Sequence, residues 1–374
     1  EFAGSDTTHH FITGGMQASG ETLLVPVSSK EVVTGAFNPG GCCVSHGVLA
    51  ALDASTGQRL WTYHTTAEAT EIIQPMERIG PNGAPVWSAP TVDTQRGAVY
   101  IGTGQNYTEP TTGTSDAIIS LDIATGEVNW IFQATAGDAW NYACEFMRPL
   151  RCPDPEGHDF DFGAAPVLAE SGASLVAADK GGMVYSINPD NGSLNWSQKL
   201  SVGTWLGGIH WGLALDNQRI YAAATDFEID PASGNLEDLI PGANPGIYAL
   251  DVTTGELVWE IHPQRLYEGL ETPVLFSAAL SVTNDVLFAG ALNGTMKAYA
   301  TDDGRELWSF DASQERVDVN GLPGDGGTID GAGFVIAGDG LIINSGYTVI
   351  FGGVGRYQAG NGNTLLVLRL GGQP

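Results

Sequence analysis

Ala51-Leu52-Asp53-Ala54-Ser55-Thr56-Gly57-Gln58-Arg59-Leu60-Trp61 decides the fold, because its pattern returns four more times along the 374 residues. The later copies are Leu121-Asp122-Ile123-Ala124-Thr125-Gly126-Glu127-Val128-Asn129-Trp130 and Ile187-Asn188-Pro189-Asp190-Asn191-Gly192-Ser193-Leu194-Asn195-Trp196, then Leu250-Asp251 through Gly255 to Trp259, and Tyr299-Ala300 through Gly304 to Trp308. Each copy keeps Gly four residues ahead of Trp. This is the chemistry of a tight hairpin. A strand ends, polar residues make the turn, Gly takes positive φ, and the next strand leads to an indole that packs on a neighbouring sheet. Tryptophan separations of 69, 66, 63 and 49 residues suit four-stranded units repeated radially, with insertions in their loops.

Further strand-like runs fall between the copies, at Ala89–Gly102, Gly172–Ala178, Arg219–Ala224 and Val286–Leu292. A sixth unit from about Gly327 to Leu370 lacks the Trp phrase, and the first unit begins at about Phe11. The expectation is one all-β domain over residues 1–374, a β-propeller of four-stranded antiparallel blades. The composition agrees: 51 Gly, 19 Pro and only 16% charged residues suit short strands and many turns rather than long charged helices.

The formal charge of −28, from 43 acidic against 15 basic residues, repels phosphate backbones and so argues against nucleic acid as a partner. It attracts basic proteins, a cationic electron carrier among them. No run of 18 apolar residues occurs, so no membrane-spanning helix is expected. Four cysteines fall into two local pairs, Cys42-Cys43 and Cys144 with Cys152, which points to disulfides and an oxidising compartment. No C-x-x-C-H occurs, so no c-type haem site lies in this chain.

The Leu-Asp-x-x-Thr-Gly-x-x-x-Trp phrase resembles the tryptophan-docking motif of the quinoprotein alcohol dehydrogenases, whose fold is an eight-bladed propeller. The resemblance covers nearly the whole chain and is strongest to the polyvinyl-alcohol dehydrogenase branch. Six units against eight imply that about two N-terminal blades are absent, unless the protein closes a smaller ring. The family implies pyrroloquinoline quinone and Ca²⁺ as cofactors, a periplasmic or secreted location, and a cytochrome c as electron acceptor.

What the resemblance implies for the site is specific. Val27-Ser28-Ser29-Lys30-Glu31 is similar to the strand end that supplies the family's calcium-binding Glu, here Glu31, and ungapped register places Ser28 and Thr13 on the quinone carboxylates. Trp87, in Val86-Trp87-Ser88-Ala89-Pro90, takes the place of the indole floor beneath the planar quinone. The amide ligand falls in Gly102-Thr103-Gly104-Gln105-Asn106, where register favours Gln105 and residue type favours Asn106. Ala178-Asp179-Lys180-Gly181-Gly182 resembles the segment whose cation, Lys180, contacts the quinone oxygens. His210 and Trp211 are secondary candidates to line the cavity. Cys42 and Cys43 resemble the family's adjacent-cysteine ring near the quinone but lie in a different blade from the better-known members.

Two segments compete for the catalytic base. Gly137-Asp138-Ala139-Trp140-Asn141-Tyr142 keeps the family's Trp but has Asn at the base position, whereas Asp159-Phe160-Asp161-Phe162-Gly163 keeps the Asp. Only a carboxylate accepts an alcohol proton at neutral pH, so Asp161 is the choice, with a second role beside the metal. Lanthanide-using relatives carry another Asp two residues after the base, where this chain has Gly163, so Ca²⁺ is the expected ion. The activity implied is oxidation of an alcohol, secondary or polymeric. The alternatives are a non-catalytic periplasmic scaffold of the outer-membrane assembly type and an inactive fragment of the enzyme.

Overall fold

The computed structural model describes residues 9–37, 41–73, 78–146, 151–227, 239–348, 353–369 and 371. In it the turn of the repeated phrase is organised by the phrase's own Asp. Asp53 Oδ1 accepts the N–H groups of Ser55 at 3.1 Å and Thr56 at 2.7 Å, and Gly57 closes the turn at φ +70°. Asp122 and Asp251 accept from the equivalent amides at 2.8–2.9 Å. A short side-chain acceptor that mimics a backbone turn is what Asp offers at this position.

Glycine is required there for a second reason that the sequence does not reveal. A Cβ on Gly126 would lie 2.6 Å from the Trp61 ring, one on Gly192 2.6 Å from Trp130, and one on Gly304 2.9 Å from Trp259. The indole of one sheet therefore rests on the bare turn of the next. Its Nε1–H donates to a carbonyl of that same turn: Trp61 to Ile123 at 3.1 Å, Trp130 to Pro189 at 2.9 Å and Trp259 to Thr301 at 2.9 Å. Each of these hairpins also shifts register at one place, between Ala51 and Leu52, Ser120 and Leu121, Ala249 and Leu250, or Ala298 and Tyr299. Such a bulge bends and twists the outer strand.

The hairpins belong to antiparallel sheets whose strands follow one another in chain order. The first sheet is built from His10–Phe11, Thr22–Ser29, Val48–Asp53 and Arg59–His64, with Gln17–Ser19 added to its second strand. The second holds Thr91–Asp93, Ala98–Gly102, Ala117–Asp122 and Val128–Gln133, and the third Val167–Leu168, Leu175–Ala178, Met183–Ile187 and Leu194–Lys199. The fourth and fifth run from Ala214 to Ile261 and from Ser281 to Asp311, again with four strands each. The sixth, where the Trp phrase is missing, has three among the described residues: Val335–Ala337, Gly340–Ser345 and Thr364–Arg369.

The described residues through Ser197 form one compact unit, and those from Gln198 onward form a second. In the first unit Leu24, Leu49, Val99, Ile101, Ile119 and Leu121 make one fully buried apolar layer, and Tyr100, Ile118, Phe162, Leu175 and Ile187 make another. Burying side chains of this size contributes about 1.5–3 kcal/mol each. Phe162 thereby ties the end of a long loop into the core, and that loop carries the acidic residues of the site.

Candidate active site

Glu31 follows the strand Thr22–Ser29 and opens a single helical turn, Glu31–Thr34. The residue is 1% exposed. Oε2 accepts the N–H of Val44 at 3.0 Å, the N–H of Ser45 at 2.7 Å and the Ser45 hydroxyl. Oε1 faces His9 Nδ1 at 3.9 Å. The Cys42–Cys43 disulfide is formed and packs with Tyr107 and Val32 immediately behind this turn. The Tyr107 hydroxyl donates to the Ser29 carbonyl at 3.4 Å. Burial lifts that phenol well above its ordinary value, and the charges of Asp161, Glu31 and Asp159 act in the same direction, so one ring senses all three carboxylates.

The two candidate amides differ sharply. Asn106 Nδ2 donates to the Asn82 carbonyl at 2.6 Å, while its Oδ1 accepts the Thr112 N–H at 2.8 Å. Gln105 Nε2 donates to the Trp140 carbonyl at 3.3 Å, but Gln105 Oε1 is buried with no hydrogen-bond partner. A buried acceptor left unpaired costs free energy unless something else fills the role. Gln105 therefore has an amide oxygen to offer, and Asn106 is committed to holding its turn.

Lys180, 5% exposed, lies between two carboxylates. Its Nζ donates to Asp159 Oδ2 at 2.8 Å, lies 3.2 Å from Asp161 Oδ2, and sits 5.7 Å from the centre of the Trp87 ring. Asp161 Oδ1 accepts the Gln105 N–H at 2.8 Å. A Cβ on residue 104 would come within 2.2 Å of that oxygen, so Gly104 makes room for it. Asp159, at φ +59°, leaves Oδ1 buried and unpartnered. Burial pushes the Asp159 carboxyl well above its usual range; Lys180 opposes this and Asp161 adds to it. Burial works to lower Lys180, but Asp159 and Asp161 outweigh it and hold the ammonium above its ordinary value. Glu31, Gln105, Asp159 and Asp161 each offer a hard oxygen donor of the kind that suits Ca²⁺, although Glu31, Asp159 and Asp161 do not converge into one close cluster.

Thr13 Oγ1 donates to the Trp87 carbonyl at 3.2 Å, and Ser28 is buried opposite Phe11 in the first sheet. Both adjoin the residues named so far. His210 and Trp211 belong to the second unit, where His210 Nδ1 pairs with Ser277 Oγ at 2.9 Å and its ring lies 5.0 Å from that of Trp211. The Cys144–Cys152 disulfide is formed, and Arg78 Nη1 donates to the Cys152 carbonyl at 2.8 Å.

Sequence reading missed Asp159, Asp138 and Asp116. The Asp159 signal was present in the phrase that flagged Asp161, two residues earlier. Asp116 has no comparable signal: both of its oxygens are buried without a partner. Burial pushes its carboxyl well above the ordinary 3.8, and the charges of Asp138, Asp161, Asp159 and Asp179 add to this. A carboxyl raised in the folded state gives stability that is complete below the unfolded value and is lost as pH climbs toward the folded value. Asp116→Asn, neutral at every pH, is expected to leave the melting temperature near pH 4 unchanged and to raise it at pH 8 by about 1–3 °C. Thermal scans at the two pH values check this; equal shifts at both would contradict it.

Comparison with known proteins identifies the fold and family of the chain. The glucose/ethanol/alcohol dehydrogenase β-propeller domain family matches residues 21–150, and the outer membrane protein assembly factor BamB family matches residues 148–268 and 180–342. The chain is 34% identical to a polyvinylalcohol dehydrogenase of a Pseudomonas species over 94% of this chain and 55% of that protein. It is 33% identical to a polyvinylalcohol dehydrogenase of Sphingopyxis sp. (strain 113P3) over 90% of this chain and 52% of that protein. It thus spans about half the length of these relatives. In fold it is similar to a quinohemoprotein alcohol dehydrogenase from Comamonas testosteroni, with a TM-score of 0.61 at 14% identity over 97% of this chain and 60% of that one. The docking turns, the four-stranded sheets and these matches lead to one conclusion: the chain belongs to the pyrroloquinoline-quinone β-propeller family that includes the quinoprotein alcohol dehydrogenases.

Proposed function

We propose that this chain carries the alcohol-oxidising site of a dehydrogenase that uses pyrroloquinoline quinone and Ca²⁺. The observation that carries the reading is Lys180, buried between Asp159 and Asp161 and facing the Trp87 ring. Buried ions are costly to fold around, and a group of them beside an aromatic face is the arrangement expected where chemistry needs them. The Trp87 ring offers the platform for a planar cofactor, which Thr13, Ser28 and the Cys42–Cys43 disulfide would contact. Glu31, Gln105 and Asp161 would hold the cation, and Gln105 replaces Asn106 in that role because its oxygen is uncommitted. When bound, the quinone supplies the acceptor for the alcohol's hydride. Asp161 takes the hydroxyl proton, and Lys180, 3.2 Å from its Oδ2, stabilises negative charge that develops beside the ring.

The relatives named polyvinylalcohol dehydrogenase support a secondary or polymeric alcohol as substrate. The net charge of −28 favours a basic cytochrome c as electron acceptor, and the two disulfides favour the periplasm. A non-catalytic scaffold is the second reading, favoured by the assembly-factor match over residues 148–342. It assigns no task to the buried ions.

Quinone binding by the natural protein, followed by absorbance while Ca²⁺ is titrated, tests the reading. Saturable binding that requires Ca²⁺ is expected. Glu31→Gln, which removes a ligand charge, is expected to raise the Ca²⁺ needed by about tenfold. No quinone binding at any Ca²⁺ concentration would favour the scaffold.

A further inference from the structure

The segment that does not carry the base turns out to hold the one that does. Asp138 is 2% exposed, and its carboxylate receives three successive backbone amides of the loop before Asp161. Oδ1 accepts the N–H of His158 at 2.8 Å and of Asp159 at 3.4 Å, and Oδ2 accepts the N–H of Phe160 at 3.2 Å. A Cβ on residue 157 would lie 1.9 Å from Asp138 Oδ1, so Gly157 is what lets the carboxylate seat there.

The main chain of the same segment grips both sides. The Asp138 carbonyl accepts the Asn106 N–H at 3.2 Å, the Asn106 carbonyl accepts the Trp140 N–H at 2.9 Å, and the Ala139 carbonyl accepts the Gly157 N–H at 2.8 Å. Residues 138–140 thus lie between the turn that bears Gln105 and the loop that bears Asp159 and Asp161. Three amides on one carboxylate fix a backbone far more closely than a loop's own bonds would. A displacement of about 1 Å at a reacting group is enough to cost a large factor in rate.

We propose that Asp138 is the positioning residue of this site: its carboxylate sets the backbone of residues 158–160 and through it the aim of Asp161 at the alcohol proton. The proposal rests on Asp161 being the base. Asp138 itself touches no reacting atom. Its effect should therefore fall on turnover and on the local backbone, and leave cofactor and substrate affinity alone.

The test is Asp138→Asn in the natural protein loaded with quinone and Ca²⁺. Asparagine keeps one acceptor but turns an NH₂ toward the Phe160 amide. We expect kcat to fall about tenfold while KM for the alcohol and the affinity for quinone stay within twofold. Hydrogen exchange at the amides of 158–160 should quicken at least tenfold, with Trp140 and Asn106 unchanged. Gly157→Ala, which crowds the carboxylate without removing it, should give the same signature if Asp138→Asn folds poorly. A kcat within twofold of the parent, unchanged exchange at 158–160, or a loss of kcat matched by loss of quinone would each overturn the proposal. Failure of the base assignment looks different: Asp161→Asn would then keep its turnover, whereas failure of the positioning claim leaves Asp161→Asn inactive and Asp138→Asn active.

Discussion

Asp161→Asn is expected to cut alcohol-dependent dye reduction by the natural protein, loaded with quinone and Ca²⁺, by about 10²-fold or more. The amide keeps the shape and still accepts from the Gln105 N–H, which meets Asp161 Oδ1 at 2.8 Å. It loses the charge that faces Lys180 at 3.2 Å and the basicity that takes a proton. Asp159 stays in its ion pair with Lys180 at 2.8 Å, so the loop should remain in place. The loss should appear in kcat with little change in melting temperature. Turnover within twofold of the parent would remove Asp161 from the role of base.

Lys180→Met is expected to be the most disruptive single change, because it acts on stability and turnover together. Lys180 is the partner of both Asp159 and Asp161. Without it two carboxylates, 3% and 6% exposed, face each other with no counter-charge. Breaking a buried ion pair from one side costs about 3–5 kcal/mol, and chemical denaturation should register a loss of that order. The pair would lower its charge by taking up a proton, since burial and Asp161 already push Asp159 upward and only Lys180 opposes them. The rate–pH profile of whatever activity remains should therefore move to higher pH. Lys180→Arg, which keeps the charge, should retain most of the stability. A Lys180→Met protein with the parent's stability would show that the two carboxylates are solvated or paired elsewhere.

The repeat was legible because it is local. The Asp-turn-Gly-Trp phrase carries its own hydrogen bonds within five residues, and at Gly126, Gly192 and Gly304 a side chain would strike the indole of the preceding sheet. Legibility ended where contacts join distant parts of the chain. Asp159 meets Lys180 across 21 residues, and His210 meets Ser277 across 67. Gln105 and Asn106 are neighbours with the same functional group. Only the Asn82 carbonyl and the Thr112 amide, placed by packing, decide which of the two is free. Asp138 was read as part of a rival for the base, and its task emerged from three amides some 20 residues downstream. Among the described residues the sixth sheet has three strands, in the one unit whose sequence lacks the Trp phrase.

Alcohol-dependent dye reduction by the natural protein, measured with quinone and Ca²⁺ supplied together and with each withheld, tests the central claim most directly. Turnover of a secondary alcohol only when both are present, and its loss in Asp161→Asn, is the result predicted. Saturable quinone binding without turnover, or turnover that needs neither quinone nor Ca²⁺, would contradict it.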